Sequence, residues 1–507
     1  MKKNLVFLAL LFPLLCFSQS TWLLDLPGTD FGDKCAPTYD GGAVMITQFV
    51  NHVLKVDANG SVAWNAEIDT TGLQYLRGLT ETSDHGIVAY GAGNGWAYSV
   101  VFKFDENGNV LWQKRYDPPS QNLTIAWICP TEGDGGFIFG GGECAMATYV
   151  VRCDMNGDIV WQKQYYGLQG GAATGFYSSM QKASPSSFMG TFSTLTNGDI
   201  DWGFVKLDGS SNPVWAKLID EGAERDEVVG STATQAGGIA VLGTTTNYQA
   251  PNNENKMTLT VIDSNGTILA YRVYDYTEQL QPSAIIQTSD GGYAITGSTY
   301  SLETLVIKTD ATGNIQWQKV GNGSVTQSGT GLAPAANGMF YLAGHAFTEK
   351  AFIALMSEQS GQGLCAEGSI QLSPAAHFPT VTPLIASPIA GTATASSINY
   401  STQNITTPGQ IVCTSVAVDP SAAPNALQCS PNPFSDRLNV RITSDVTEGG
   451  VLRLLDLGGR VVAERALQVG ESEVNWKIAK IAAGMYMLEL QYAGGRQSIR
   501  LMSAGGN

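Results

Sequence analysis

The sequence of 507 residues is poor in charge and in histidine. Charged residues make up 14% of the chain, against roughly 25% in an average globular protein. There are 28 basic residues, 44 acidic residues and 4 histidines, so the formal charge is −16. An acidic chain lacks the basic face that nucleic acid requires, and four histidines offer little material for a histidine-based metal centre. We therefore predict no nucleic-acid partner, no metal site and no cofactor.

Long apolar runs are also missing after the first residues. No later stretch reaches the roughly 18 apolar residues of a membrane helix, so we predict no transmembrane helix. The apolar stretch Leu5–Phe17 follows Lys2 and Lys3 and precedes Ser18–Ser20. This order of charged, apolar and small residues is typical of a secretory signal peptide, which we assign to residues 1–20.

Glycine is abundant, with 58 residues, and it belongs to a repeat. In the repeat, a strand ending in Lys-x-Asp leads through x-Asn-Gly to a strand that carries Trp. The Asp positions lie 47 to 55 residues apart, and variant loops or an Ala270 in place of Trp occur in some copies. The copies begin at Lys55, Lys103, Arg152, Lys206, Asp263 and Lys308.

A second landmark, a Gly-rich turn such as Asp40-Gly41-Gly42 or Asp290-Gly291-Gly292, occurs once per unit and gives seven units. Asp-Gly and Asn-Gly pairs favour hairpins, so each unit holds about four short strands. Units of this length and strand number are typical of a β-propeller. We therefore predict an all-β fold: a seven-bladed β-propeller of four-stranded blades over residues 21–365, followed by a small C-terminal β-sandwich. The recurring Trp is expected to pack between blades.

The seventh unit has no Trp strand of its own. The segment Trp22–Leu26 resembles the fourth strands of the other units. A propeller removes its open sheet edges by closing its ring. We therefore predict that Trp22–Leu26 completes the seventh blade.

Residues 366–424 differ from the repeats. No Lys or Arg occurs between Lys350 and Arg437, and Ser, Thr, Ala and Pro dominate. This composition predicts a linker or a loosely ordered cover, with strands near Ile398–Tyr400 and Gln410–Cys413.

The stretch from residue 425 to residue 507 combines several motifs. It opens with Pro431-Asn432-Pro433-Phe434, continues through the turn Gly458-Gly459-Arg460 and the strand start Gly484-Met485-Tyr486, and ends in a basic strand. The combination resembles the type A C-terminal sorting domain of type IX secretion. The alternation of strands and turns independently predicts a β-sandwich of about seven strands. An ordinary immunoglobulin-like adhesion module is the alternative.

The resemblance implies delivery across the outer membrane of a Gram-negative cell. The type IX secretion machinery is then a partner, and the product is secreted or held at the cell surface. The resemblance also implies that the module is usually removed, and that the cargo is then released or attached to surface polysaccharide.

Catalytic motifs are absent from the sequence. The loop at Asp154-Met155-Asn156-Gly157-Asp158 suggests a calcium loop, but the spacing favours a hairpin in which Asp154 caps its own backbone. The leading hypothesis is a binding, adhesion or envelope-associated propeller with a glycan or surface protein as ligand. The alternative is an exported hydrolase or quinoprotein-like dehydrogenase with its site in the channel. Candidate contact residues are Trp96, Trp127 and Trp202, although packing between blades is favoured for each.

Seven cysteines follow the signal peptide, and six remain without the sorting module. An even number in an oxidising compartment suggests disulfides. Cys144 and Cys153 flank one predicted hairpin and are the best candidate pair, with buried thiols as the alternative.

Overall fold

The structure is a computed structural model, and none of its described residues lies in an α-helix. Among these residues there is accordingly no helix that could span a membrane. The described residues are 20–26, 29, 31–48, 50–69, 73–93, 95, 98–117, 123–143, 147–166, 179–196, 199–220, 226–245, 256–275, 279–321, 326–346, 350–364, 367–368, 372–376, 380–384, 387–390, 394–397, 402–404, 410–416, 427–430, 434–442, 450–455, 460–479, 481–482, 484–492 and 495–503.

The propeller is built from strands β1–β28, each of five to ten residues. Their bounds are Ser20–Leu26 (β1), Gly32–Pro37 (β2), Ala43–Thr47 (β3), His52–Val56 (β4), Val62–Ile68 (β5), Leu73–Glu81 (β6), Ile87–Gly93 (β7), Ser99–Phe104 (β8), Val110–Asp117 (β9), Leu123–Pro130 (β10), Phe137–Glu143 (β11), Ala147–Cys153 (β12), Ile159–Tyr166 (β13), Met180–Ser184 (β14), Ser187–Thr196 (β15), Asp199–Asp208 (β16), Pro213–Asp220 (β17), Asp226–Ala233 (β18), Ile239–Thr245 (β19), Lys256–Ile262 (β20), Ile268–Asp275 (β21), Leu280–Gln287 (β22), Tyr293–Thr299 (β23), Thr304–Thr309 (β24), Ile315–Gly321 (β25), Ser328–Ala335 (β26), Met339–His345 (β27) and Ala351–Ser357 (β28).

These strands form seven antiparallel four-stranded blades, as the repeat predicts. Blades 1 to 6 are β2–β5, β6–β9, β10–β13, β14–β17, β18–β21 and β22–β25, and blade 7 is β26–β28 with β1. The first strand of each blade contacts the first strands of both neighbouring blades, so these seven strands form a closed ring around the central channel.

The seventh blade is closed by the segment that the sequence predicts. In β1, Trp22 pairs with Leu355 and Leu26 pairs with Ala351, so β1 is the fourth strand of blade 7. Trp22 is 2% exposed and belongs to a buried cluster with Val56 of blade 1 and Tyr341 of blade 7. The prediction is confirmed, and the two ends of the propeller sequence meet in one sheet.

The recurring Asp and Gly residues shape the turn between the third and fourth strands. Asp57 accepts hydrogen bonds from the backbone N–H groups of Asn59 (2.9 Å) and Ser61 (2.8 Å). Gly60 has φ of 85°, a conformation that glycine adopts without steric cost. The Asp carboxylate thus satisfies the turn's own backbone, and the same arrangement recurs at Asp105, Asp154, Asp208, Asp263 and Asp310.

The recurring Trp packs against the next blade, as predicted. Trp64 of blade 1 donates its indole N–H to the carbonyl of Glu106 in blade 2, at 2.9 Å. A Cβ placed on Gly108 in the same turn would lie 2.6 Å from the Trp64 ring, so only glycine fits beneath it. The same indole bond to the following blade is made by Trp22, Trp112 and Trp317.

Residues 367–416 add a fifth strand to every blade. The strands are Glu367–Gly368 (β29), Ser373–Ala376 (β30), Thr380–Leu384 (β31), Ser387–Ala390 (β32), Thr394–Ser397 (β33), Thr402–Asn404 (β34) and Gln410–Val416 (β35). They pair antiparallel with β25, β21, β17, β13, β9, β5 and β1 in turn, so the chain passes round the propeller in the reverse order of the blades. We call residues 367–416 the belt.

The belt occupies most of the segment for which the sequence predicts a linker or a loosely ordered cover. The predicted strand at Gln410–Cys413 lies within β35, and Ile398–Tyr400 lies outside the described residues. The belt strands are short and lack the alternation of apolar and polar residues, because each needs only to continue an existing sheet edge. The last of them, β35, pairs with β1 from Ser20↔Val416 to Asp25↔Gln410. The closing strand β1 is therefore held between β28 on one side and β35 on the other.

The C-terminal residues form a second compact unit, divided from the first between Ala417 and Val418. Its strands are Leu427–Ser430 (β36), Arg437–Ile442 (β37), Gly450–Leu455 (β38), Val461–Leu467 (β39), Glu473–Lys477 (β40), Gly484–Tyr492 (β41) and Gly495–Ser503 (β42). One sheet has the order β36-β37-β40 and the other β39-β38-β41-β42, and one apolar core is shared between them. This is the predicted seven-stranded β-sandwich.

Candidate binding site in the central channel

The first strands of the blades share a feature that the sequence does not predict. In all seven the pairing with the second strand skips at least one residue. β14 skips Ala183 next to its hairpin, and β6 skips Gln74 near its start. The other skipped residues are Asp33 and Lys34, Arg77, Ala126, Val229, Ser283 and Thr330. A bulge of this kind leaves a residue out of the ladder and redirects its side chain, and bulges are frequent beside active sites. We call these other positions the bulge ring.

A cavity of about 340 Å³ opens on the bulge ring. It is lined by the ring residues Asp33, Lys34, Arg77, Ala126 and Val229, together with Gln48, Tyr75 and Ser179. Gln48 directly follows β3 and Ser179 directly precedes β14. The cavity therefore lies toward the end of the channel where the connections between blades run, which we call the connection face. The opposite end, with the Asp-Gly and Asn-Gly hairpins, is the turn face.

Lys34 links three blades across the channel. Its Nζ donates to the carbonyl of Thr330 in blade 7 at 3.1 Å and to that of Ser283 in blade 6 at 3.4 Å. Both acceptors belong to the bulge ring, and the Lys34 side chain stays 43% exposed. The ammonium group is thus positioned by backbone carbonyls while it remains accessible from the cavity.

The carboxylate of Asp33 is largely engaged within the protein. Gln48 Nε2 donates to Asp33 Oδ2 at 2.9 Å, and Lys34 Nζ lies 3.8 Å from Asp33 Oδ1. Arg77 adds a second cation to the lining. Among the described lining residues there are two cations and one carboxylate, so this part of the channel carries a positive excess.

On the turn face, by contrast, four basic residues of the repeat form ion pairs, and Lys206 donates to the carbonyl of Ser264. Lys103 is 1% exposed, and its Nζ lies 2.7 Å from Asp84 Oδ1. Burial raises the pKa of Asp84, but the hydrogen bonds from Lys103, Thr82 and the Gly86 backbone, together with the charge of Lys103, outweigh it and leave that pKa below its usual value. Equivalent pairs join Lys55 to Asp40, Arg152 to Asp134 and Lys308 to Asp290. These cations stabilise hairpins and are not available to a ligand.

The lining bears on the enzyme alternative. Glycoside hydrolysis uses a pair of carboxyl groups that flank the scissile bond. The described lining residues supply one, Asp33, which already accepts a hydrogen bond from Gln48. The cavity therefore offers groups for binding and orientation, and no acid–base pair among the described lining residues.

The candidate contact tryptophans do not lie in this cavity. Trp127 is 5% exposed and packs on Gly140, and Trp202 is 3% exposed in a cluster with Phe204. Their packing role is confirmed, and Trp96 lies outside the described residues. At Asp154 the hydrogen bonds to the turn confirm the capped hairpin, and the described residues contain no cluster of His, Cys, Asp and Glu fit for a metal ion.

Of the candidate disulfide pair, the structure describes only Cys153, and Cys144 lies outside the described residues. Cys153 is a buried thiol paired across the sheet with Phe137, and burial raises its pKa to about 12. The pairing of Cys144 with Cys153 stays a prediction.

The sorting motif is described in part. Phe434 is 1% exposed in the sandwich core and bridges to Ser503, and Tyr486 donates its hydroxyl to the carbonyl of Ala482 at 3.0 Å. Gly484 begins β41, and Arg460 is exposed just before β39. Pro431, Asn432, Pro433, Gly458 and Gly459 lie outside the described residues. Phe434 and Tyr486 thus have structural roles in the module.

Comparison with known proteins identifies the C-terminal module. Residues 429–503 match the family model of the secretion system C-terminal sorting domain, which confirms the resemblance and marks an exported protein. A search of curated proteins returned no match.

Solved structures similar to the chain are β-propellers. A streptogramin B lyase is 14% identical, with 66% of this chain and 98% of that chain covered and a TM-score of 0.46. The extracellular domain of a one-component system from B. thetaiotaomicron is 10% identical, with 94% and 57% covered and a TM-score of 0.40. A PQQ-bound aldose sugar dehydrogenase from Streptomyces coelicolor is 13% identical, with 67% and 98% covered and a TM-score of 0.35.

Proposed function

We propose that the chain is an exported β-propeller binding protein that the type IX secretion machinery carries across the outer membrane of a Gram-negative cell. The sorting-domain match at residues 429–503 is the observation that supports this proposal. In the proposal the signal peptide at residues 1–20 takes the chain to the periplasm, and residues 425–507 direct the second step. The propeller and its belt are the cargo, released to the medium or held at the cell surface.

A binding role for the cargo is supported by the channel. A cavity of about 340 Å³ with a few convergent polar groups falls in the size range of small-molecule sites. Its lining offers hydrogen-bonding and charged groups from different blades, held on strands of a closed ring. Such a framework suits recognition of a glycan or of a segment of a surface protein.

The sorting step is tested by removal of residues 425–507. The truncation leaves every strand from β1 to β35 in place, so the propeller keeps its belt. We expect the truncated chain to accumulate folded in the periplasm, while the full chain reaches the surface or the medium and loses about 80 residues there. Cell fractionation and the intact mass of the exported product measure both effects.

Two controls sharpen this test. The substitution Val469→Ser, at a side chain 69% exposed in the same module, should leave export unchanged. Residues 418–507 fused to an unrelated periplasmic protein should carry it out of the cell. Equal export of the truncated and full chains would show that the module does not sort, and would favour the adhesion module instead.

The binding role is tested separately with a glycan array and envelope extracts. The full mature chain should be retained by at least one glycan or envelope fraction. The absence of any retention across both screens would contradict the binding function.

A further inference from the structure

The bulge ring is asymmetric in charge. Two neighbouring blades place Asp33, Lys34 and Arg77 in the lining, two cations against one carboxylate, whereas blades 3 and 5 place Ala126 and Val229 there. The ring thus has a cationic side and an apolar side at one level of the channel. A ligand that fits both sides carries negative charge at one end and an apolar face at the other.

The charge of the rest of the propeller limits the size of that negative charge. Residues 21–424 contain 17 basic and 36 acidic residues and so carry a formal charge of −19. This field repels polyanions at long range, and it is screened within about 10 Å at 0.1 M salt. The local excess at Lys34 and Arg77 therefore suits a ligand with a single negative group rather than a nucleic acid or a highly sulfated chain.

The shape of the cationic groups points to a carboxylate. The guanidinium of arginine presents paired N–H donors that match the two oxygens of a carboxylate. Lys34 is held by the carbonyls of Thr330 and Ser283, so its ammonium group is positioned before any ligand arrives. Because Lys34 is already held in place, it loses little side-chain freedom when a carboxylate binds.

The remaining lining residues suit a sugar ring. Gln48 donates through Nε2 to Asp33 and offers its amide oxygen to a sugar hydroxyl group. The Ser179 hydroxyl shares a hydrogen bond with Ser231 Oγ and keeps further acceptor capacity. Tyr75 and Val229 offer apolar surface for the ring face. The volume of about 340 Å³ suits one or two sugar units. We propose that this cavity binds a carboxylated sugar, a hexuronic acid or an equivalent acidic unit at the end of a glycan, with Arg77 and Lys34 on the carboxylate. The inference rests on the proposed binding function and specifies its ligand.

The test uses the full mature chain and isothermal titration with glucuronic acid, galacturonic acid and glucose. We expect saturable binding of at least one uronic acid and binding of glucose weaker by about tenfold or more, because glucose lacks the charged hydrogen-bonding partner. An oligogalacturonide is titrated in the same way. Comparison with the free uronic acid shows whether the site takes the acidic unit as a free sugar or as the end of a glycan chain.

Variants locate the site. Arg77→Gln and Lys34→Gln should each weaken uronic acid binding about tenfold, and Arg77→Lys should restore it only in part because lysine lacks the planar paired donors. Lys350→Gln is the matched control for Lys34→Gln, since the Lys350 side chain is 40% exposed and lies 3.7 Å from Asp25. Thermal melts confirm that each variant is folded, and Lys34→Gln tests the site if Arg77→Gln does not fold.

Three results overturn the inference. They are equal affinity for glucose and the uronic acids, no saturable binding of any uronic acid, and uronic acid binding that Arg77→Gln and Lys34→Gln leave unchanged. The broader binding function fails on a different result, the absence of retention in the glycan and envelope screens. Retention of a neutral glycan that survives both substitutions would therefore keep the binding function and refute the acidic ligand.

Discussion

The turn face and the bulge ring are built from the same seven repeats, yet they differ in what they repeat. On the turn face the same residue types recur from blade to blade: an Asp that caps the hairpin, a Gly with positive φ and a Trp that bonds to the next blade. In the bulge ring the equivalent positions hold different residues, among them Lys34, Arg77 and Val229. The bulge in the backbone recurs from blade to blade, but the residue at the bulge differs.

The difference has a physical basis. A ring of blades uses similar contacts between successive blades, so most of the residues that join blades keep one chemistry, although blade 5 has Ala270 in place of Trp. A small ligand in a channel touches each blade at a different part of its own surface, so its site must depart from the repeat. Repetition therefore marks residues that stabilise the propeller, and departure from repetition at a shared bulge marks candidates for function.

The largest effect is expected from Trp22→Ala on the turn face. Trp22 is 2% exposed, contacts Gly60 and donates to the carbonyl of Ala58, so its loss opens the contact that joins blade 7 to blade 1. We expect a loss of about 3–5 kcal/mol in the free energy of unfolding, as for other buried aromatic truncations. Chemical denaturation of the mature chain measures it.

The matched control is Leu269→Ala, at a side chain 62% exposed on a fourth strand. It should change the free energy of unfolding by no more than about 0.5 kcal/mol. A similar small change for Trp22→Ala would show that the recurring Trp does not carry the closure of the ring.

A smaller, distributed effect is expected on acidification. Burial raises the pKa of Asp40, Asp84 and Asp290, but hydrogen bonds from lysine and from the turn outweigh it, so each pKa in the folded protein lies below the ordinary value of 3.8. The unfolded chain binds these protons more readily, so this stabilisation is complete above the unfolded pKa and is lost as the pH falls through the folded values. Thermal melts between about pH 6 and about pH 3 should show the midpoint falling below about pH 4.

The variant Asp290→Asn tests the source of this acid sensitivity. It removes one of the carboxylates that titrate, so its midpoint should fall less steeply below about pH 4 than that of the unchanged chain. A midpoint that is constant or rises on acidification would contradict the role of the turn-face ion pairs.

The sequence predicted the parts of the fold that depend on local chemistry. Hairpins at Asp-Gly and Asn-Gly need positive φ, so their residue types can be recognised in the sequence. Their spacing predicts the blades and the role of Trp22–Leu26 in the seventh. The sequence predicted a strand at Gln410–Cys413 but not the pairing of the belt with the blades, because the belt strands pair with edges far away in sequence: Ser373 pairs with Asp275, and Val416 with Ser20. A short polar strand added to an existing edge carries no periodic signal of its own.

The candidate site escaped prediction for a related reason. Lys34 and Arg77 stand in ordinary strand sequences, and only the register of β2 against β3 and of β6 against β7 shows that they are left out of the ladder. The proximity of Lys34 to Thr330 also depends on ring closure across nearly 300 residues. A repeat alignment could flag such positions by their lack of agreement, but it could not place them in one cavity.

The smallest effect on stability is expected from Lys34→Gln in the bulge ring. The Lys34 side chain is 43% exposed, and the carbonyls of Thr330 and Ser283 that it leaves face a channel cavity that water can enter. The free energy of unfolding should therefore change by no more than about 0.5 kcal/mol, as for most surface substitutions. Chemical denaturation of Lys34→Gln and Trp22→Ala side by side measures the difference between their free energies of unfolding. A loss of about 2 kcal/mol or more would place Lys34 among the residues that hold the blades together, and the separation between a structural turn face and a functional bulge ring would fail at that position.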